Sequence, residues 1–225
     1  MAARCSTGLS VQEPDGARAA GGGHGRGRPC LVERLVVPAP EITFELLDGG
    51  QAAGHEAELR ALHAEVYAAP PYRHDEDEGE FARRLRVQRR QPGFVLAEAR
   101  HGGYLVGYAA GMPLRPSTSW WRDMTTPLPD ELTAEHPGRT FALADLLVRA
   151  AWRRQGIGAG LHDLILSGRR EERATLVVLP AAIAAQNAFQ SWGWRKVGRT
   201  RDPRPGSAVS DVLVTELPVN HGRPG

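Results

Sequence analysis

The sequence is poor in cysteine, in lysine and in long apolar runs. Its two cysteines, Cys5 and Cys30, both precede Glu41 in a chain of 225 residues. The rest of the chain therefore supports no disulfide framework and no thiolate zinc site, and it supplies no cysteine nucleophile. Lys196 is the only lysine among 28 basic residues, so arginine carries almost all the fixed positive charge. No apolar run reaches the ~20 residues that span a bilayer. Met1-Ala2-Ala3-Arg4-Cys5 lacks the apolar stretch of a secretory leader. A cytoplasmic protein without a membrane partner is expected. The eight histidines show neither His-x-x-x-His nor His-Glu-x-x-His spacing, so no metal site is expected.

What is present suits one domain of ordinary size. The hydrophobic fraction is 41%, enough for a core, and the charged fraction of 24% is ordinary. The net charge of +2 sits in residues 1–40, where five arginines face three acidic residues. The rest of the chain is balanced, whereas a nucleic-acid binder carries its surplus on the folded domain. Gly21-Gly22-Gly23-His24-Gly25-Arg26-Gly27-Arg28-Pro29 cannot bury apolar surface. Residues 1–38 are expected to be a disordered extension, 41–217 the folded domain and 218–225 a loose end.

Hydrophobic period and turn chemistry give the elements. Ile42 to Leu47 alternates as a strand, and Gln51 to Tyr67 has helical spacing through Leu59, Leu62 and Val66. Pro70-Pro71 ends that helix. A second helix runs from Asp75 to Gln88, with Phe81 and Leu85 on one face and Arg83, Arg84 and Arg86 around it. Phe94–Ala99 and Tyr104–Ala109 form a hairpin about Gly102-Gly103. A long proline-rich stretch, Pro113 to Gly138, is expected to be irregular. Then follow a strand at Phe141–Val148, a helix at Gly156–Gly168, a strand at Thr175–Leu179 and a helix at Ala181–Trp192. The last strands are Trp194–Arg199 and Val212–Leu217. The order is β-α-α-β-β-β-α-β-α-β-β, an α/β (α+β) fold with a mixed, mostly antiparallel central sheet flanked by helices. Only the β-α-β part about Gly156 should be parallel.

The turn between Val148 and that third helix carries the chemistry. A strand that ends in a glycine turn and opens a helix aims backbone N–H groups and a helix dipole at one point, which suits a phosphate. Gly156 and Gly158 let the phosphate approach the backbone, and Arg153 and Arg154 add charge. The turn has no Gly-Lys-Ser/Thr, so it is not a Walker A loop. Leu161 occupies the third position of G-x-G-x-x-G, so it is not a dinucleotide fingerprint.

Leu146-Leu147-Val148, four residues, then Arg153-Arg154-Gln155-Gly156-Ile157-Gly158 resembles the R/Q-x-x-G-x-G/A acetyl-CoA motif of the GNAT N-acetyltransferases. Ala181 to Gly198, with Trp192-Gly193-Trp194, resembles the family's next helix and strand. The resemblance covers residues 42–217 and implies a GNAT-like acyl-CoA N-acyltransferase fold with acetyl-CoA as co-substrate. It implies that the backbone of Leu146, Leu147 and Val148 pairs with the pantetheine arm. The amides of Gln155, Gly156, Ile157, Gly158 and Ala159 would hold the pyrophosphate beside Arg153 and Arg154. The strands at 141–148 and 175–179 would part to let the thioester reach an amine. Many members have a tyrosine five residues before the Gly-Phe aromatic, and here that position is Phe189. An asparagine seven residues earlier is Ala182 here, and Asn187 is out of register.

An ammonium acceptor must lose a proton before attack, and a carboxylate near the parting strands can take it. Asp145 is the first candidate; as an ordinary strand-end residue it would instead bond backbone or an arginine. Tyr72, His74, Asp75 and Glu76 fall where the family covers its acceptor. Trp120-Trp121 would line an aromatic acceptor pocket or a homodimer contact, or at least one of them would pack within the fold. The acceptor expected is a small-molecule or peptide amine, attacked directly in a ternary complex. Alternatives are a longer acyl-CoA or an aminoacyl-tRNA as donor, or a non-catalytic acyl-CoA sensor.

Overall fold

The computed structural model describes residues 41–72, 78–201 and 207–219. The expectations for residues 1–38, and for His74, Asp75 and Glu76, lie outside them. Strand β1 (Ile42–Asp48) leads through a 3-10 turn at Gln51–His55 into helix α1 (Glu56–Tyr67) and then α2 (Glu78–Gln88). The Asp48 carboxylate accepts from the amides of Gly50 (2.8 Å) and Gln51 (2.9 Å), which turns the chain out of β1. Strands β2 (Val95–His101) and β3 (Tyr104–Pro113) form the hairpin; β3 runs past Ala109 because Gly111 and Met112 still pair with the next strand. The proline-rich stretch contains one short helix, α3 (Asp130–Thr133). Strand β4 (Thr140–Val148), helix α4 (Ile157–Leu166), strand β5 (Arg173–Val178), helix α5 (Ile183–Ser191) and strands β6 (Arg195–Arg201) and β7 (Val209–Glu216) complete the fold. No helix among the described residues is long and apolar enough to cross a membrane.

The seven strands lie in the order β1-β2-β3-β4-β5-β7-β6, and only β4 and β5 are parallel. Successive strand residues face opposite sides, so β2 and β3 feed two cores at once. Leu96, Leu105, Tyr108 and Ala110 pack against α1 and α2, with Leu59, Leu62, Phe81 and Leu85. Ala97, Ala99, Val106 and Ala109 face α4 and α5, with Ile157, Leu161, Ile165 and Phe189. On that second face, the Trp194 indole donates to Nε2 of fully buried His162 (2.9 Å). An indole can only donate, so the His162 proton sits on Nδ1, 3.0 Å from the Asp163 carboxylate.

The stretch before β4 is pinned along β6. Thr125 N–H donates to the Arg199 carbonyl (2.8 Å) and Arg201 N–H to that of Asp123 (3.1 Å), bridging Met124 to Thr200. Three residues of pairing are too few to leave a period in the sequence.

Two close approaches fix β3 against β4. A Cβ on Gly111 would lie 2.5 Å from the Phe141 ring and 2.6 Å from the Ala142 carbonyl oxygen. Gly111→Ala must therefore push β4 away, and denaturant unfolding should show a loss of about 1–3 kcal/mol.

Candidate active site

β4 pairs with β5 only at Thr140, Phe141 and Ala142. Beyond them, β5 stays on β7 and β4 stays on β3, so the two parallel strands part. A bulge marks the point: Leu143 faces Gly111 and Asp145 faces Ala110, which leaves Ala144 without an opposite residue. The extra residue reverses which side chains face which way. Phe141 and Leu143 point to the α4–α5 core before the bulge, and Leu146 and Val148 do so after it. Leu147 joins the α1–α2 core instead.

The bulge also delivers Asp145 to α2. Its carboxylate is 3% exposed and accepts both guanidinium arms of Arg84, Nη1 to Oδ2 at 2.9 Å and Nη2 to Oδ1 at 3.3 Å. Arg84 looked from the sequence like one of several solvated arginines on α2; nothing in its helical position signals a partner on β4.

A cleft of about 470 Å³ opens where the strands part. Leu143 to Leu147 form one lip and Leu176 to Leu179 the other, with Phe189 and Ala185 of α5 behind them. Phe189 stands edge-on to Trp192 (centroids 5.5 Å) and Trp194 (5.7 Å), so this wall is aromatic and has no hydroxyl at that position. The lining also includes Asp145 with Arg84, Tyr67 with Tyr72, and Trp120. The adjacent tryptophans divide their work. Trp120 lines the cleft, whereas Trp121 donates to Glu135 (2.9 Å) beneath the Arg173 guanidinium.

Tyr72 is half-buried, its ring 5.1 Å from that of Tyr67. Burial pushes its phenol above the usual value of 10, and the positive charge of Arg153 opposes the shift only in part. Tyr72 is thus a neutral O–H donor at physiological pH, a residue fitted to give a proton rather than take one.

The turn after β4 brings two arginines and the start of α4 together. Arg153 Nε donates to the Val148 carbonyl (3.0 Å), which sets the guanidinium over the end of β4. Arg154 (φ 65°) and Gly156 (φ 80°) are both left-handed, and Gly156 is the N-cap of α4. No side chain caps that helix, and the amides of its first turn have no intrahelical acceptor. Arg154, Gln155 and Gly156 are exposed; Gly158 and Ala159 are half-buried and Ile157 is buried in the core. A Cβ on Gly158 would meet only ordinary contacts, to Trp192, Leu146 and Val148 at 3.8–4.0 Å, so α4 begins directly beside the cleft lip. Among the described residues, no group of three side chains could hold a metal.

The model of the acetyltransferase (GNAT) family matches residues 57–194, which is more than half of the chain. The chain belongs to the GNAT acetyltransferase family. Solved structures share the fold of this GNAT protein. The ribosomal-protein-S18-alanine N-acetyltransferase of Escherichia coli superposes with a TM-score of 0.55 at 14% identity, covering 79% of this chain and 94% of that one. Ard1 from Thermoplasma volcanium gives 0.53 at 13%, over 78% and 97%. An aminoglycoside N-acetyltransferase in complex with CoA gives 0.53 at 14%, over 76% and 99%. At these identities the likeness is one of fold. No curated protein matches the sequence.

The Arg84–Asp145 pair gives a stability test. Arg84→Met strands a carboxylate that is almost fully buried. Unfolding in denaturant should show a loss near 3 kcal/mol, the lower end for a broken buried pair because Arg84 is partly exposed. Adding Asp145→Leu should recover most of it.

Proposed function

We propose that this GNAT protein transfers an acetyl group from acetyl-CoA to an amine, by direct attack within a ternary complex. One observation carries the reading: the lip of β4 freed from β5 runs straight into the uncapped start of α4. The free backbone edge of Leu146, Leu147 and Val148 suits an extended amide-bearing arm. The amides from Gln155 to Ala159, with Arg153 and Arg154, suit a pyrophosphate at the end of that arm. When bound, acetyl-CoA supplies the acetyl group as a thioester, and the acceptor amine takes it with loss of a proton.

Proton handling divides between two residues of the cleft. Tyr72 donates its phenolic proton toward the sulfur side, the task that Phe189 cannot perform. Asp145, whose two oxygens each accept one bond from Arg84 and keep a further lone pair, takes the amine's proton directly or through water. Tyr72→Phe should lower kcat about 10²-fold, with little change in the KM for acetyl-CoA. Because burial raises the phenol's pKa, its loss of activity on the alkaline side should come at higher pH than an ordinary tyrosine would give and should vanish in Tyr72→Phe.

The rival reading is an acyl-CoA sensor, favoured by the hydroxyl-free wall at Phe189. Release of CoA thiol with a panel of amines separates the two. Intersecting initial-rate lines for acetyl-CoA and amine support transfer in a ternary complex. Tight binding of acetyl-CoA with no thiol released from any amine contradicts it.

A further inference from the structure

At the parting, the two faces of the sheet are covered differently. Leu176, Val178 and Leu213 belong to the core under α4 and α5. Val177 and Val212 alternate with them and pair with each other across β5 and β7, so both face the α2 side. Asp145 faces that side as well, since Arg84 of α2 holds it. Gly198 continues the row onto β6, opposite Val212. Met124 and Leu128 lie over Gly198, where an added Cβ would come within 2.6 Å and 3.2 Å of them. Val212 is buried, and the cover stops there. Val177, at the open end of the row and on the lip of the cleft, is 43% exposed. A sheet face in a folded domain is otherwise buried against another element.

The polar groups on this side are largely spent within the fold. Arg84 bonds both Asp145 and the Gln88 carbonyl (3.3 Å). The Thr200 hydroxyl donates to the Asp123 carbonyl (2.9 Å), and Asp123 stands opposite exposed Arg201 in the Met124–Thr200 bridge. Ser207 and Ser210, near the start of β7, add two hydroxyls to the lining. What the fold leaves uncovered at the lip of β5 is apolar. The start of α4 lies on the other face, since Ile157 packs in the α4–α5 core. A donor anchored there reaches the parting from one side. An acceptor that gives its proton to Asp145 reaches it from the α2 side, where Val177 is open.

We propose that the acceptor is an amine with an uncharged apolar body, seated on Val177 while its amino group meets Asp145. This rests on the acetyl-transfer reading and narrows it, since that reading leaves the amine open. Seating the body there takes the apolar surface of both partners out of water, which strengthens binding with each buried methylene.

The test titrates ethylamine, butylamine and hexylamine by calorimetry into the full-length protein saturated with CoA. The charged matches for hexylamine are 1,6-diaminohexane and 6-aminohexanoate. Affinity should rise about two- to threefold per added methylene. Both charged matches should bind at least about tenfold more weakly than hexylamine, because a charge would have to leave water to lie on Val177. Val177→Asn should weaken hexylamine about fivefold and leave ethylamine and CoA affinity unchanged, whereas Val177→Ile should keep the rise with length. Val87→Asn, at an exposed valine of α2 outside the cleft, should change nothing. Affinity that is flat with length, a charged match that binds as tightly as hexylamine, or a rise that survives Val177→Asn overturns the proposal. Absence of saturable CoA binding would instead overturn the donor site. Hexylamine binding without release of thiol from acetyl-CoA would overturn transfer and leave the apolar seat standing.

Discussion

After Ala142 the backbone of β4 has β3 on one side and no strand on the other. In the middle of a seven-stranded sheet this is costly, since each buried backbone group left without a partner costs about 1–3 kcal/mol. The fold accepts that cost at one place and stabilises it from both sides. β3 holds β4 closely through Gly111, and β5 is held along its whole length by β7. The gap cannot close by one strand sliding to the other without breaking those ladders. The bulge at Ala144 then turns Leu146 and Val148 toward α4 and Asp145 toward α2. One extra residue thus sets both ends of the cleft.

The two ends differ in charge. At the α4 end the uncapped amides, Arg153 and Arg154 make a positive site. The Arg84–Asp145 pair on the cleft lip is neutral. Tyr72 is close enough to Arg153 to feel its charge and buried enough to stay protonated.

Much of this was legible from sequence. Alternation and helical spacing gave each strand and each long helix to within a few residues, because most of them bury a regular face. The glycine turn was legible because Gly156 and Gly158 stand between an apolar strand and a helix and because the rival glycine motifs fail. The bulge was not legible. An insertion of one residue in an apolar strand leaves no mark in Phe141–Val148, so neither the facing of Asp145 nor its pairing with Arg84 could be read. The strip at Asp123–Thr125 was hidden for a similar reason: three paired residues among prolines look like loop. The distinct roles of Trp120 and Trp121 depend on contacts to Glu135 and Arg173, far along the chain or in a different element.

The central claim is that the start of α4, beside the freed lip of β4, takes the diphosphate of acetyl-CoA. Gly158→Asp tests it most directly, because a Cβ there meets only ordinary contacts and helix N-termini favour aspartate, so the fold should persist. Calorimetric titration of the wild-type and Gly158→Asp proteins with acetyl-CoA is the measurement. The account predicts saturable binding to the wild type, weakened at least about tenfold by a carboxylate placed against the phosphates, a change of ~1.4 kcal/mol. Equal affinity in the two proteins would contradict it.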